Sequence, residues 1–282
     1  MLKQDSRQAL IDRIGIAITQ ASVMAGPVNT AYLSAGAGVP VICLHGGGAG
    51  AVTWYPSIGP LAQRFHVVAP DIVGYGESDK PDGSYDKAYF SGWLKQFLDA
   101  LGIAKAHIVG LSQGGAIALQ FTLDYPEMVD KLVLVDSGGL GAKPPLMSIA
   151  SMLWLNIFPS SWANRFYSRY ILFKPGNRDP NHERYSVEVL KTAGGKKAFS
   201  QGRGAAVAAF TEEALRRIRN RTLIVWGEND RLFPIESAAK AATIISNAEL
   251  LGIRDAGHLP MMDQPAMFNR AVVNFLLNKM DV

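Results

Sequence analysis

An α/β fold, with a mainly parallel sheet of eight strands and helices on both faces, is predicted by three observations. Eight short β-rich runs alternate with helical patterns. The central runs are apolar on both faces, as doubly covered strands require. A length of 282 residues suits one large domain carrying an insertion. Composition agrees: 48% of side chains are apolar and 18% charged, below the roughly one quarter usual for soluble domains, so the chain is not a disordered one.

Residues 18–24 and 29–33 read as a hairpin around Gly26-Pro27. Strand candidates follow at 39–44, 66–69, 106–109, 131–135, 222–226 and 248–253. Helical patterns fill the intervals at 56–63, 86–101, 114–123, 234–244 and 265–279. The run Leu132-Val133-Leu134-Val135 has no polar face, which places it inside the sheet.

One interval breaks the alternation. No strand is predicted between Asp136 and Thr222, and a connection that long carries structure of its own. Residues 143–210 are helical in flavour and crowded with Trp154, Phe158, Trp162, Phe166, Tyr167 and Tyr170. They hold ten Lys/Arg against Asp179, Glu183 and Glu188, a net +7 in a chain of +4. The expected organisation is a core over 1–142 and 211–282, with a cationic helical lid (cap) over 143–210 inserted after strand 6. Its aromatics could form a small local core or line a binding site. The lid could also dock on a membrane surface, but residues 146–158 lack a clean polar face, which argues against it.

Several function classes fall away. The mild charge gives no footprint for nucleic acid. The single Cys43 cannot form an internal disulfide or a zinc finger, and five dispersed histidines suggest no metal cluster. No run approaches the ~18 apolar residues of a membrane span, so stable membrane insertion is not expected. Residues 14–24 imitate a signal peptide, but Asp5 and Asp12 spoil its basic flank and Thr19, Gln20 and Ser22 its apolar run. A cytoplasmic location is expected.

The strongest chemical signal is Gly110-Leu111-Ser112-Gln113-Gly114, directly after a strand and before a helix. In that context G-x-S-x-G is a nucleophile turn, with flanking glycines admitting close contacts and the helix N-terminus facing developing negative charge. A serine needs a base and an orienting acid. His258 stands just past the last predicted strand, and Asp230 just past the strand before it. Ser112, Asp230, His258 is the chain order expected for this topology, at the strand ends where such sheets place their sites. Asp136 also ends a strand and is the competing acid; Asp71 and Asp263 read as capping or surface groups. His45, His66, His107 and His182 are weaker base candidates. The loop His45-Gly46-Gly47-Gly48-Ala49-Gly50 lets backbone approach a reacting carbonyl, which assigns an oxyanion hole to the N–H groups of Gly47 and Gln113. It lacks the Lys-Ser/Thr or spaced glycines of a nucleotide site.

On segments 45–50, 71–78, 110–115, 226–230 and Gly257-His258, the chain resembles the α/β-hydrolase fold family over nearly its whole length. The resemblance implies a lid where the strand rhythm breaks and an acyl-enzyme made by Ser112, with His258 moving the proton and Asp230 orienting it. Within that family, the His45–Gly50 loop and the strand exit Asp136-Ser137-Gly138-Gly139-Leu140-Gly141 look like carbon–carbon hydrolases of ring-fission dienoates. A cationic lid would suit their anionic substrates, and Arg203 is the candidate lid arginine. Those enzymes commonly carry Asn before the nucleophile and Trp after the histidine, where Leu111 and Leu259 stand here. Two leucines suggest a more apolar pocket, with Leu111, Leu259, Trp154 and Arg203 as substrate contacts.

The sequence therefore predicts a serine hydrolase of a small, partly apolar ester, thioester or lactone. The alternatives are a carbon–carbon hydrolase of a 2-hydroxy-6-oxo-dienoate and, from another class, a receptor that binds ligand without turnover. None needs a metal or organic cofactor. The partner is a small molecule, and lid aromatics could equally serve a homo-oligomer.

Overall fold

In the computed structural model, residues 5–279 are described, apart from the side chains of residues 203 and 205–207. All eight predicted runs pair into one sheet: β1 Thr19–Ala25, β2 Val28–Ala35, β3 Pro40–Leu44, β4 His66–Pro70, β5 Ala106–Leu111, β6 Val129–Val135, β7 Arg221–Gly227 and β8 Ala248–Ile253. Their order is β1-β2-β4-β3-β5-β6-β7-β8. β1 and β2 form an antiparallel hairpin turned at Gly26, whose φ of +59° favours glycine, and β2 runs antiparallel to β4. From β4 onward every pairing is parallel. The parallel part aligns the carboxyl ends of β3, β5, β6, β7 and β8, and each loop of the predicted site leaves from one of them.

Helices α1 Ser6–Asp12, α2 Tyr55–Ala62, α3 Lys87–Ala100 and α4 Gln113–Asp124 belong to the first half of the chain. Asp86 lies just outside α3 as its N-cap, accepting from Tyr89 N at 2.8 Å. Helix α1 was not anticipated. It is seven residues long, capped by Asp5, and rests on the region between β6 and β7 through Ser6 Oγ to Glu188 and an Arg13–Asp179 ion pair.

Four helices occupy that interval: α5 Leu146–Ile157, α6 Ser161–Ile171, α7 Pro180–Lys191 and α8 Ala193–Val207. They pack on one another, and α8 lies across α4 and α3. Gly202 of α8 comes so close to the Gln113 amide that a side chain there would collide with it. The chain returns through α9 Glu212–Arg216 to β7, then α10 Glu236–Ile244, β8, α11 Pro260–Asp263 and α12 Pro265–Leu276. The core is continuous across the sheet, with β3, β5 and β6 buried and Trp54, Phe97, Phe121, Trp226 and Phe268 filling the helix layers. No described helix is long and apolar enough to cross a membrane.

Candidate active site

Ser112 sits on the turn from β5 into α4 with φ +53° and ψ −115°, a conformation that side chains other than glycine rarely adopt. Neighbouring strand ends hold it there: Ser112 N donates to Val135 O at 2.9 Å, and Gly138 N donates to Ser112 O at 2.9 Å. The flanking glycines are sterically required. A Cβ on Gly110 would strike Gly114 O, and one on Gly114 would lie 2.6 Å from His45 O.

His258 and Asp230 are both buried, and His258 Nδ1 lies 2.7 Å from Asp230 Oδ2. The other oxygen of Asp230 accepts from Leu232 N at 2.7 Å and Phe233 N at 3.0 Å, fixing the carboxyl group. With Nδ1–H given to Asp230, Nε2 is the ring nitrogen free to act as a base. Phe233 sets its ring edge-on to the imidazole, centroids 5.1 Å apart. Ser112 and His258 line the same cavity.

Asp136, the competing acid, stands behind this pair. It is fully buried at φ +41° and accepts from Gly227 N at 3.0 Å, while its second oxygen has no donor. Burial first, and then the neighbouring Asp230, push its carboxyl well above the usual carboxylate range. Donor atoms of Asp136, Asp230 and His258 lie within 4.8 Å of one another, a spacing a cation could use. The Nδ1–Asp230 bond and the loop amides account for this clustering without an ion.

Gly47 follows β3 and touches the nucleophile turn, since a Cβ there would meet Gln113 Oε1 at 2.6 Å. Among the described residues, the backbone N–H groups of Gly47 and Gln113 find no acceptor. Two neighbouring free donors beside Ser112 are what a developing oxyanion needs. The Gln113 side chain is buried and accepts from Tyr75 OH at 3.0 Å, which steadies the start of α4.

Two cavities meet at Ser112, sharing Gly47, Tyr167 and Phe199 as walls. The narrower, about 70 Å³, carries Leu111, Leu155, Leu190, Leu259 and Met262. The roomier, about 340 Å³, carries Ile149, Met152, Leu153, Leu232 and Phe233. Among described residues, the charged side chains lining either are Asp179 and Glu183, each paired with an arginine, Arg13 and Arg178. His182 also lines the narrow cavity, and burial lowers it to about 4, so it is neutral near pH 7.

Leu111 and Leu259 thus reach the cavity as expected. Trp154 does not: it packs between Trp162 and Phe166, at 4.5 and 5.8 Å, away from both cavities. Arg203 falls in α8, and its side chain lies outside the described residues. His45 is a structural group, since Nε2 accepts from Ile72 N at 2.9 Å and Nδ1–H therefore donates to Gly46 O at 2.7 Å. His66 bonds Ser34, and His107 is lowered by burial to about 4. Asp71 is no surface group: fully buried, it accepts from Ala51 N and Glu77 N at 2.6 and 3.0 Å. Asp263 caps Gly257 N at 2.8 Å and Phe173 N at 3.0 Å.

The wall residues Tyr167 and Phe199 were missed. Asn164, Tyr167, Ser168 and Ile171 recur at i, i+3, i+4 and i+7 and all face the cavity, a spacing that could have separated them from Trp154.

A family described as the alpha/beta hydrolase fold matches residues 39–265. The 2-hydroxy-6-oxo-6-phenylhexa-2,4-dienoate hydrolase of Burkholderia cepacia is 31% identical, over 86% of this chain and 90% of its own. A solved meta-cleavage product hydrolase from Pseudomonas fluorescens IP01 is 30% identical, with a TM-score of 0.83 over 92% of this chain and 97% of that one. A carboxylesterase from Bacillus subtilis shares the fold at a TM-score of 0.87 and 22% identity, covering 98% of this chain and 97% of that one.

Proposed function

Because the chain belongs to the α/β-hydrolase fold family, and is a hydrolase, we propose that Ser112, His258 and Asp230 are its catalytic triad and that it cleaves a small, partly apolar ester, thioester or lactone. The observation that carries this reading is the lining around Ser112: two cavities with mainly apolar walls joined at the nucleophile, the acids of the narrower one each paired with an arginine. One suits an acyl chain and the other a leaving group.

Ser112 Oγ attacks the carbonyl carbon while His258 Nε2 takes its proton, and the oxygen anion is received by the N–H groups of Gly47 and Gln113. Collapse breaks the bond to the leaving oxygen or sulfur, which takes the proton from His258. Water then gives a proton to His258 and attacks the acyl group, freeing the acid and restoring Ser112. Asp230 holds Nδ1–H throughout and stabilises the imidazolium.

A second reading is favoured by the named relatives: hydrolysis of the carbon–carbon bond of a ring-fission dienoate, with the same three residues and a carbon leaving group. Its substrate carboxylate would need a cation at the cavity, and Arg203 is the residue proposed for it. The comparison that decides is kcat/KM for a short-chain aryl ester beside a 2-hydroxy-6-oxo-dienoate, with Ser112→Ala as the control. An ester preference of about tenfold or more is expected, with turnover of both substrates abolished in the control. Dienoate preference would overturn the ester reading and move the search for a cation to Arg203 and its neighbours.

A further inference from the structure

Helix α5 is apolar on two sides: Met152 and Leu155 are buried, yet large apolar side chains also face outward. Its polar residues Ser148, Ser151 and Asn156 are buried, with Ser151 Oγ donating to Ser148 O at 2.7 Å and Asn156 Nδ2 to Lys196 O at 3.3 Å. Its outer side presents Leu146, Met147 and Ile157, which are 80%, 56% and 52% exposed, and ends on Phe158 at 66%. Helix α6 extends the patch with Trp162, 62% exposed and stacked on Phe166 with 13° between planes. The other large exposed apolar residues are scattered over the molecule, so this is the concentrated patch among the described residues.

The same face of α6 carries cations. Arg165, Phe166 and Arg169 follow Trp162 at helical spacings of three, four and seven, and the Arg169 guanidinium lies 5.9 Å from the Phe166 ring. Arg165 and Arg169 join Arg178 and Arg231 around a surface cleft of about 320 Å³. Among the described residues, Arg178 alone of these four has an acid partner, Glu183. The remaining acids of residues 143–210 are engaged elsewhere, Asp179 by Arg13 and Glu188 by Ser6. An apolar crown is thus bordered by the guanidinium groups of Arg165, Arg169 and Arg231, which have no carboxylate partner among the described residues.

We propose that this face docks on an anionic phospholipid surface, with Leu146, Phe158 and Trp162 entering the interface and Arg165, Arg169 and Arg231 engaging headgroup phosphates. Such a surface supplies both things the face lacks, an apolar layer and phosphate oxygens that arginine forks match. A second copy of the chain would supply only the first, and a two-fold contact would set the same guanidinium groups against each other. The amphipathic-helix test on 146–158 misses the face because its polar residues point inward and its cations come from the next helix. Ile149, Met152 and Leu153 of α5 line the roomier cavity at Ser112, so the docking face and a cavity wall share one helix.

The test is sedimentation of the intact protein with large unilamellar vesicles of phosphatidylcholine alone or mixed equally with phosphatidylglycerol. Partitioning at least tenfold stronger on the anionic vesicles, weakening as salt rises, is expected. The pairs Phe158→Ser with Trp162→Ser, and Arg165→Glu with Arg169→Glu, should each lower it about tenfold or more, while turnover of a soluble ester stays within about twofold. Equal partitioning on both vesicles, or none on the anionic ones, overturns the proposal. So does a wild-type dimer, seen by sedimentation velocity, that the Phe158→Ser, Trp162→Ser pair abolishes, because the face then belongs to a second copy. The readout is binding, so its failure leaves the triad reading untouched.

Discussion

Asp136 and Asp230, at the exits of adjacent strands β6 and β7, form one buried carboxyl pair, and a single acid of the two reaches His258. Asp230 takes the imidazole N–H and two loop amides; Asp136 takes the amide of Gly227, and burial beside Asp230 raises its pKa.

Asp136→Asn should preserve this arrangement, since its carbonyl can accept from Gly227 N and its amide can donate toward Asp230. Activity within about threefold of wild type is expected, while Asp136→Ala strands Gly227 N–H at roughly 1–3 kcal/mol. The raised pKa of Asp136 has a signature of its own. Its folded pKa lies above the unfolded value, so stability from this group is full below about pH 4 and falls as pH rises toward the folded value, by at most about 1.4 kcal/mol per unit. Melting curves from pH 5 to 8 should show a flatter profile for Asp136→Asn than for wild type. An identical slope would place the proton elsewhere.

Ser112 stores backbone strain at φ +53°. Ser112→Ala should abolish turnover and leave the melting temperature nearly unchanged, because alanine carries the same strain. Ser112→Gly removes it and should stabilise the chain by roughly 1 kcal/mol, about 2 °C in Tm. A large loss of stability in Ser112→Ala would mean that the hydroxyl is structural.

Gly47→Ala should lower kcat by about 10²–10³, as expected for a misplaced oxyanion donor. The new methyl would stand 2.6 Å from Gln113 Oε1 and 3.1 Å from the Phe199 ring, so the loop must shift. Steady-state kinetics with a minor change in KM would confirm the assignment; a change confined to KM would make Gly47 a binding-wall residue.

Tyr167 and Trp154 offer a paired contrast. Tyr167 walls both cavities at Ser112, so Tyr167→Ala should change kcat/KM about tenfold or more and alter the preferred acyl length. Trp154→Ala should leave kcat/KM within about twofold, since the ring packs on Trp162 and Phe166. The reverse pattern, measured over a series of aryl esters, would show that residues 143–210 repack in solution.

Strands and the site loops were legible because local chemistry dictates them. β-branched runs must pair, and Gly110 and Gly114 face backbone atoms that admit no side chain. Ser112, Asp230 and His258 stand in the chain order that this sheet topology expects of a nucleophile, acid and base. Partner choice across the chain was not legible. Asp136 and Asp230 are 94 positions apart, and which carboxyl takes the histidine depends on amides at 227, 232 and 233. Trp154 was misplaced because ring size and hydrophobicity do not say which side of a helix meets a cavity. For Tyr167 the decisive signal was the i, i+3, i+4, i+7 series on α6, whose polar members Asn164 and Ser168 obscured it. Helix α1 escaped notice because seven residues carry too little periodicity.

The carboxyl group of Asp263 joins parts of the chain that are remote in sequence. It receives Gly257 N beside His258, Phe173 N just past α6 and Asn177 Nδ2 beyond it. For protein engineering this is a graft constraint. Any chimera that replaces residues 143–210 with the corresponding stretch of a relative must bring donors to the same two places, or leave a buried acid short of partners next to His258. A swap designed only to fill the cavity would lose the histidine's alignment along with the old substrate preference.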